Sequence, residues 1–221
     1  IGGKYQNAMI GCCAYSDISV FRFHPVKIMT TAEGGMAMTN NREIAERMEL
    51  LRSHGITRDP DLMTNAPDGS WYYQQITLGW NYRMTDIQAA LGLSQLKRVD
   101  AAVQKRNALA DRYDEAFQSA ELSMPIRGGD YYSAFHLYVI QLADQTRQRE
   151  VFEQLRASGI GVNLHYIPVH FQPFYRERGF KLGDFPAAEA YYSRAISLPL
   201  FPTMSETQQT KVIDELLASL K

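Results

Sequence analysis

The stretch Phe21-Arg22-Phe23-His24-Pro25-Val26-Lys27, continued by Thr30-Thr31-Ala32-Glu33-Gly34-Gly35, sets one lysine on a small-residue loop between two short apolar runs. The first run, Ile18 to Phe23, is rich in β-branched and aromatic residues and predicts a strand. The second, Met36 to Thr39, predicts another. A lysine held between two buried strands acts as a nucleophile or Schiff-base former when partial burial lowers its pKa. On spacing alone, Lys27 is equally well an ordinary hairpin lysine facing solvent. Both readings stand at this point.

Outward from the loop, Asn40 is the expected N-cap of a helix, with Glu43 three residues later and Ile44, Met48 and Leu51 at helical spacing. Gly55 is placed for a left-handed cap at its end. Residues 56 to 80 form a long polar and aromatic segment, including Trp71-Tyr72-Tyr73. Its aromatics argue against disorder and either cover a ligand or anchor the loop. Thr85-Asp86-Ile87-Gln88 is a capping box opening a helix that is apolar on most sides. Such a helix is expected to be buried in the protein or in a subunit interface. A second helix is predicted from about Ala101 to Ala120, with Pro125 and Gly128-Gly129 punctuating the chain after it.

The C-terminal part alternates strands and helices. His136 to Leu142 reads as a strand and Arg147 to Ala157 as a helix ended by Gly159. Ile160, Val162, Leu164 and Tyr166 then alternate with polar or small residues, which predicts a strand with Asn163 and His165 on its polar face. Ala187 to Arg194 and Glu206 to Leu220 read as helices, the last capped by Ser205 with Gln208.

With 221 residues, 45% hydrophobic and 21% charged, the chain has an ordinary globular balance. A net charge of −1 with no basic block points away from nucleic acid. No run reaches membrane-spanning length, and no signal-peptide pattern precedes the first apolar segment. Cys12 and Cys13 are adjacent, lack metal-site spacing and are expected to be reduced, in a cytoplasmic protein. Ile1-Gly2-Gly3-Lys4 starts in a glycine turn without an initiator methionine, so a chain cut from something longer is expected.

Four motifs, FHPVK with TTAEGG, LRSHGITRD, GWNYRMTDIQAALG and HYIPVHFQPFYRERGF, resemble the sugar-nucleotide aminotransferases of the DegT/DnrJ/EryC1/StrS family almost from end to end. The resemblance implies an α/β fold of the type I, aspartate-aminotransferase-like class that uses pyridoxal 5′-phosphate. Residues 1–110 would be the C-terminal part of the large cofactor domain, and 111–221 the small C-terminal domain. It assigns Lys27 as the catalytic residue that bonds the cofactor as a Schiff base and moves protons in both half-reactions. Asn81 matches the asparagine that reaches across a homodimer to the cofactor phosphate of the other subunit. A turn asparagine before a helix is the plain alternative. Arg83 would bind an anionic group of the sugar nucleotide by its planar fork, or form an interface salt bridge. His165, Tyr166 and His170 fall in the block that meets the nucleotide sugar in similar proteins, although a histidine pair flanking a proline also suits plain packing. His24 lies close to the lysine, where it shapes the loop or touches substrate. Glutamate is the implied amino donor. The HPVK form and the HYIPVH block look most like the branch that aminates C4 of UDP-linked 4-keto-6-deoxy-N-acetyl sugars on the way to pseudaminic acid.

Two departures accompany the resemblance. Arg22 stands where similar proteins carry a phosphate-binding serine, and an arginine there either pairs with phosphate more strongly or crowds the site. The family's phosphate cradle, ring-stacking aromatic and ring-pairing aspartate are not in these residues, so the chain is expected to begin just after the aspartate-bearing strand. An inactive fragment, or a cofactor-free interaction protein derived from the family, is therefore the alternative function. A family dehydratase is disfavoured, because similar dehydratases carry histidine in place of the lysine.

Overall fold

The computed structural model describes all residues, 1–221. The chain divides into two compact units, Ile1–Val99 and Asp100–Lys221.

The first unit opens with the short strands β1 (Lys4–Tyr5) and β2 (Ala8–Met9), which pair antiparallel. Strands β3 (Ser19–Arg22) and β4 (Gly35–Met38) form the antiparallel hairpin that carries the lysine loop, with Ser19 opposite Met38 and Arg22 opposite Gly35. The expectation of two buried strands does not hold within this chain: every residue of β4 is exposed. Helix α1 (Arg42–Arg52) is capped by Asn41, whose side chain accepts from the Ile44 N–H, rather than by Asn40. Asn40 is otherwise engaged, because its amide donates to the Cys12 carbonyl at 2.9 Å. At the far end His54 already enters the left-handed region (φ 65°) and Gly55 follows it (φ 69°). The Gly55 N–H returns to the Leu50 carbonyl at 2.9 Å, closing the helix as a Schellman-type turn. Within the long segment 56–80, β5 (Ile56–Thr57) pairs antiparallel with β6 (Gln74–Gln75). Helix α2 (Asp86–Leu96) begins at the predicted capping box, with Thr85 and Gln88 satisfying each other's backbone. Its apolar side chains face outward in this chain, Ile87 being 85% and Leu93 63% exposed, and only Gly92 is buried.

The second unit contains nearly all of α3 (Val99–Phe117), then β7 (Leu122–Ser123), β8 (Tyr131–Tyr132), β9 (Tyr138–Leu142), α4 (Gln148–Ala157), the one-turn α5 (Pro173–Arg176), α6 (Pro186–Tyr192), β10 (Ala195–Leu198) and α7 (Glu206–Ser219). An antiparallel sheet in the order β10-β9-β7 is built on the register Ala195 opposite Gln141 and Leu198 opposite Tyr138. Tyr113, Phe117, Tyr138, Ile140, Leu155, Ile196 and Leu216 are fully buried around it. Tyr113 stacks on Phe117 with ring centroids 5.6 Å apart, and its hydroxyl donates to the Pro199 carbonyl, so a large ring is buried with its polar tip satisfied.

The strand expected over Ile160–Tyr166 is absent. A single bridge joins Asn163 to Ser197, through N–H to carbonyl bonds of 3.1 and 2.8 Å. The ladder stops there because the Leu164 N–H is taken by the Asn163 side chain (2.8 Å) and Pro168 has no N–H to give. The strand that does pair in this part of the chain is β10, buried at all four positions and so lacking the alternation that would betray it.

Candidate active site

The amine-bearing loop is shaped by its own backbone. The Lys27 N–H donates to the His24 carbonyl at 3.0 Å, a turn with Pro25 at its second position, where the fixed proline φ belongs. Phe23 is buried. Its carbonyl accepts from the Thr31 N–H and the Thr30 hydroxyl, both at 3.0 Å, and its N–H donates to the Gly34 carbonyl. Thr31 is buried too, with its hydroxyl donating to the Glu33 carbonyl at 2.7 Å. Helix α2 then locks the loop from one side. Gln88 donates to the Glu33 carbonyl at 3.0 Å, and a Cβ on Gly92 would lie 2.9 Å from the Thr31 methyl. Lys27, half-buried, therefore leaves a turn whose position is fixed by hydrogen bonds on both flanks.

His24 faces Glu33 across the same loop, with Nε2 and Oε1 3.6 Å apart. Arg22 ends β3 with an exposed side chain. Asn81 and Arg83 are exposed on the segment that crosses the end of α1. That segment is stitched down by three backbone bonds: Trp80 N–H to Leu51 carbonyl (2.7 Å), His54 N–H to Trp80 carbonyl (2.9 Å) and Tyr82 N–H to Arg52 carbonyl (2.9 Å).

The remaining predicted residues belong to the second unit, on one segment but with different outlooks. Tyr166 is 68% exposed and meets the His165 ring edge-on, with centroids 4.6 Å apart. His165 Nδ1 shares a 2.7 Å hydrogen bond with the hydroxyl of Ser197, which is buried on β10. His170, expected to face substrate, turns inward: its side chain is 7% exposed, and Nε2 lies 2.8 Å from Glu189 Oε1. Glu189 and Ser197 carry no signal in the sequence, because neither sits in a motif that signals chemistry. Gly92 and Thr31 lie in motifs that carry the family resemblance, yet nothing local shows that they touch.

Burial works against ionisation of Glu189, but hydrogen bonds from His170, Gly183 and Phe185 outweigh it and hold the carboxyl below its ordinary value of 4.5. A carboxyl depressed in the folded state stabilises the fold above its unfolded pKa, and that contribution is lost as pH falls through the folded value. The melting-temperature gap between the wild type and Glu189→Gln, present at neutral pH, is therefore expected to close below about pH 4.5. Melting curves recorded from pH 7 downward check this; a gap independent of pH would refute it.

Residues 1–217 match the DegT/DnrJ/EryC1/StrS aminotransferase family. The chain belongs to that family. It is 38% identical to the spore coat polysaccharide biosynthesis protein SpsC of Bacillus subtilis, over 95% of this chain and 55% of SpsC. It is 35% identical to the UDP-4-amino-4,6-dideoxy-N-acetyl-beta-L-altrosamine transaminase of Campylobacter jejuni, over 100% of this chain and 56% of that protein. The fold is similar to that of the putative sugar aminotransferase Spr1654 from Streptococcus pneumoniae, solved in its PMP form (TM-score 0.89, 30% identity, 99% of this chain and 56% of that one). Helicobacter pylori PseC, an aminotransferase involved in the biosynthesis of pseudoaminic acid, gives a TM-score of 0.88 at 32% identity, over 99% of this chain and 57% of that one. The chain thus spans about half the length of the relatives it matches, and its fold is that of the matching part of a type I aminotransferase. The family's cofactor is pyridoxal 5′-phosphate. The donor set suits that group: a primary amine on a fixed turn for an aldehyde, and a guanidinium and a side-chain amide for a phosphate. No helix is long and apolar enough to cross a membrane.

Proposed function

We propose that this protein transfers an amino group from glutamate to the C4 keto group of a nucleotide-linked 4-keto-6-deoxy sugar, with a UDP-linked N-acetyl sugar as the substrate class. The reading rests on one observation above others, the family match over residues 1–217, and the hydrogen bonds that brace the Lys27 turn from both sides support it. It includes a cytoplasmic homodimer with shared active sites, in which 1–110 belong to the large cofactor domain and 111–221 form the small one.

In this reading Lys27 Nζ would hold the cofactor by its aldehyde, and Arg22, with the partner subunit's Asn81 amide, would hold its phosphate. When bound, pyridoxal phosphate supplies an electron sink beside the amino-bearing carbon. The Lys27 Nζ would then take the proton from that carbon of glutamate and return one to C4 of the sugar in the second half. The bracing by Thr31, Gln88 and Gly92 keeps Nζ in place without rearrangement of the loop. His24, Arg83, His165 and Tyr166 are assigned to the sugar nucleotide.

The test is amino transfer by the protein expressed from its full gene, supplied with pyridoxal phosphate, glutamate and UDP-linked 4-keto-6-deoxy-N-acetyl sugar. A 4-amino sugar and 2-oxoglutarate formed in equal amounts are expected. Cofactor bound at Lys27 with no transfer to any nucleotide-linked keto sugar would refute the substrate assignment. Arg22 in the phosphate position favours one other reading, a cofactor-free interaction protein. Stoichiometric uptake of pyridoxal phosphate would exclude it.

A further inference from the structure

Glu189 sits on α6 with its carboxylate largely shielded, and it gathers several donors from two places in the second unit. His170 Nε2 approaches Oε1 at 2.8 Å. The Gly183 N–H meets Oε1 and Oε2 at 2.8 and 3.0 Å, and the Phe185 N–H reaches Oε1 at 3.5 Å. Gly183 holds φ 94°, a conformation that side chains resist, so the turn that aims its N–H at the carboxylate depends on glycine.

Around these bonds the wall is apolar. Pro168, Val169, Tyr175, Phe180, Phe185 and Ala188 line, with His170, a cavity of about 370 Å³. The His170 ring lies 4.5 Å from Phe171 and 4.8 Å from Phe185, centroid to centroid. In such surroundings a hydrogen bond to a charged group is worth more than at an open surface, and an unmade one costs more. The segment between His165 and Phe171 pairs with no strand after Asn163, so side-chain anchors take over the work of a ladder. Ser197 anchors it at His165, and Glu189 anchors it at His170. Tyr166 and Ile167, between the two anchors, are left exposed.

We infer that Glu189 is a positioning residue: through His170 and the 183–185 turn it fixes the segment that presents His165 and Tyr166 to the sugar nucleotide. The clause about the ligand rests on the function proposed above. The anchoring itself does not. His170 accordingly acts through Glu189 and not by touching substrate.

Glu189→Gln keeps the size of the side chain but removes the charge and turns one acceptor into a donor facing the Gly183 N–H. Two measurements test the inference. Hydrogen exchange on the protein without cofactor is expected to speed up in peptides covering 165–185 and to stay unchanged in β9 and in α7. Calorimetry with UDP-N-acetylglucosamine as probe is expected to show affinity reduced roughly ten- to a hundredfold. Glutamate-driven conversion of the bound cofactor is expected to be unchanged. His170→Phe, which keeps a ring in the cavity, should give the same phenotype, and the double variant should be no worse than either single one. Glu153→Gln, an exposed carboxylate on α4, serves as the control.

Unchanged exchange over 165–185 would overturn the inference. So would faster exchange with unaltered probe affinity, or additive effects of the two substitutions. Exchange that rises everywhere in the second unit would reduce Glu189 to a general stability role and overturn the inference unless Glu189→Asp, with its charge kept, restores probe affinity. A wild-type protein that binds no nucleotide sugar would refute the functional reading instead, and is told apart because the exchange pattern needs no ligand.

Discussion

Lys27→Arg is expected to leave the fold intact and to abolish covalent cofactor attachment. After borohydride reduction and digestion, mass spectrometry should find the cofactor on the Lys27 peptide of the wild type and on no peptide of the variant. Amino transfer should fall by at least about a thousandfold, since both the covalent bond and the proton carrier are lost. Arginine is chosen because it keeps the positive charge and most of the length. Its guanidinium stays protonated at all working pH values, so it neither adds to an aldehyde nor relays a proton. The side chain is half-buried and the turn is held by backbone bonds from His24, Phe23 and Thr31. The variant should therefore melt within about 0.5 kcal/mol of the wild type, as surface substitutions do. Attachment that moves to another lysine with activity retained would remove Lys27 from the proposed role.

What made the hairpin that carries Lys27 legible was local. Two strand-forming runs, a proline turn and a small-residue return lie within about twenty residues, and they form the hairpin expected of them. Helix caps were legible for the same reason: Thr85 with Gln88 and Ser205 with Gln208 close boxes within one turn. The cap falls one position later than the local pattern indicates, on Asn41, because the Asn40 amide is claimed by Cys12, far back in the chain. The alternation from Ile160 to Tyr166 is real, yet it makes no strand: Asn163 diverts one donor, Pro168 lacks another, and no ladder can extend past the bridge to Ser197. At the site, the flanks of the lysine could be read, whereas the close approach of Gly92 to Thr31 could not, because it depends on how α2 returns to the loop. His170 is the sharpest case. Its motif suggested a residue facing substrate, and only the placement of Glu189 nineteen residues later turns it inward.

Gly79→Ala is expected to dislodge the segment that carries Asn81. A Cβ at this position would lie 2.6 Å from the carbonyl carbon of His54 and 2.6 Å from the Leu51 carbonyl oxygen, and closer still to the Gly55 nitrogen. All three are backbone atoms at the end of α1, so none can swing aside as a flexible side chain would. Gly55 faces the same constraint from below: its Cβ would strike the Thr77 carbonyl, and φ is 69°. The two glycines are thus what lets residues 77–80 lie flat across the helix end. Lifting them breaks the bonds from Trp80 to Leu51, His54 to Trp80 and Tyr82 to Arg52. Three backbone hydrogen bonds at about 1 kcal/mol each give an expected destabilisation of roughly 3 kcal/mol, read by chemical denaturation. Asn81 sits between two of these bonded residues, so its backbone loses its fixed position at the same time. The variant should then hold pyridoxal phosphate more weakly even under conditions where it remains folded. Asn81→Ala separates the two effects, since it removes the amide while leaving all three backbone bonds in place. If Asn81 bonds the cofactor phosphate, Asn81→Ala weakens cofactor binding with little change in stability, and Gly79→Ala does both. A Gly79→Ala protein as stable as the wild type would mean that the crossing does not constrain the helix end. Weak cofactor binding in Gly79→Ala but not in Asn81→Ala would move the phosphate contact to another residue of the same segment, with Arg83 the next to test.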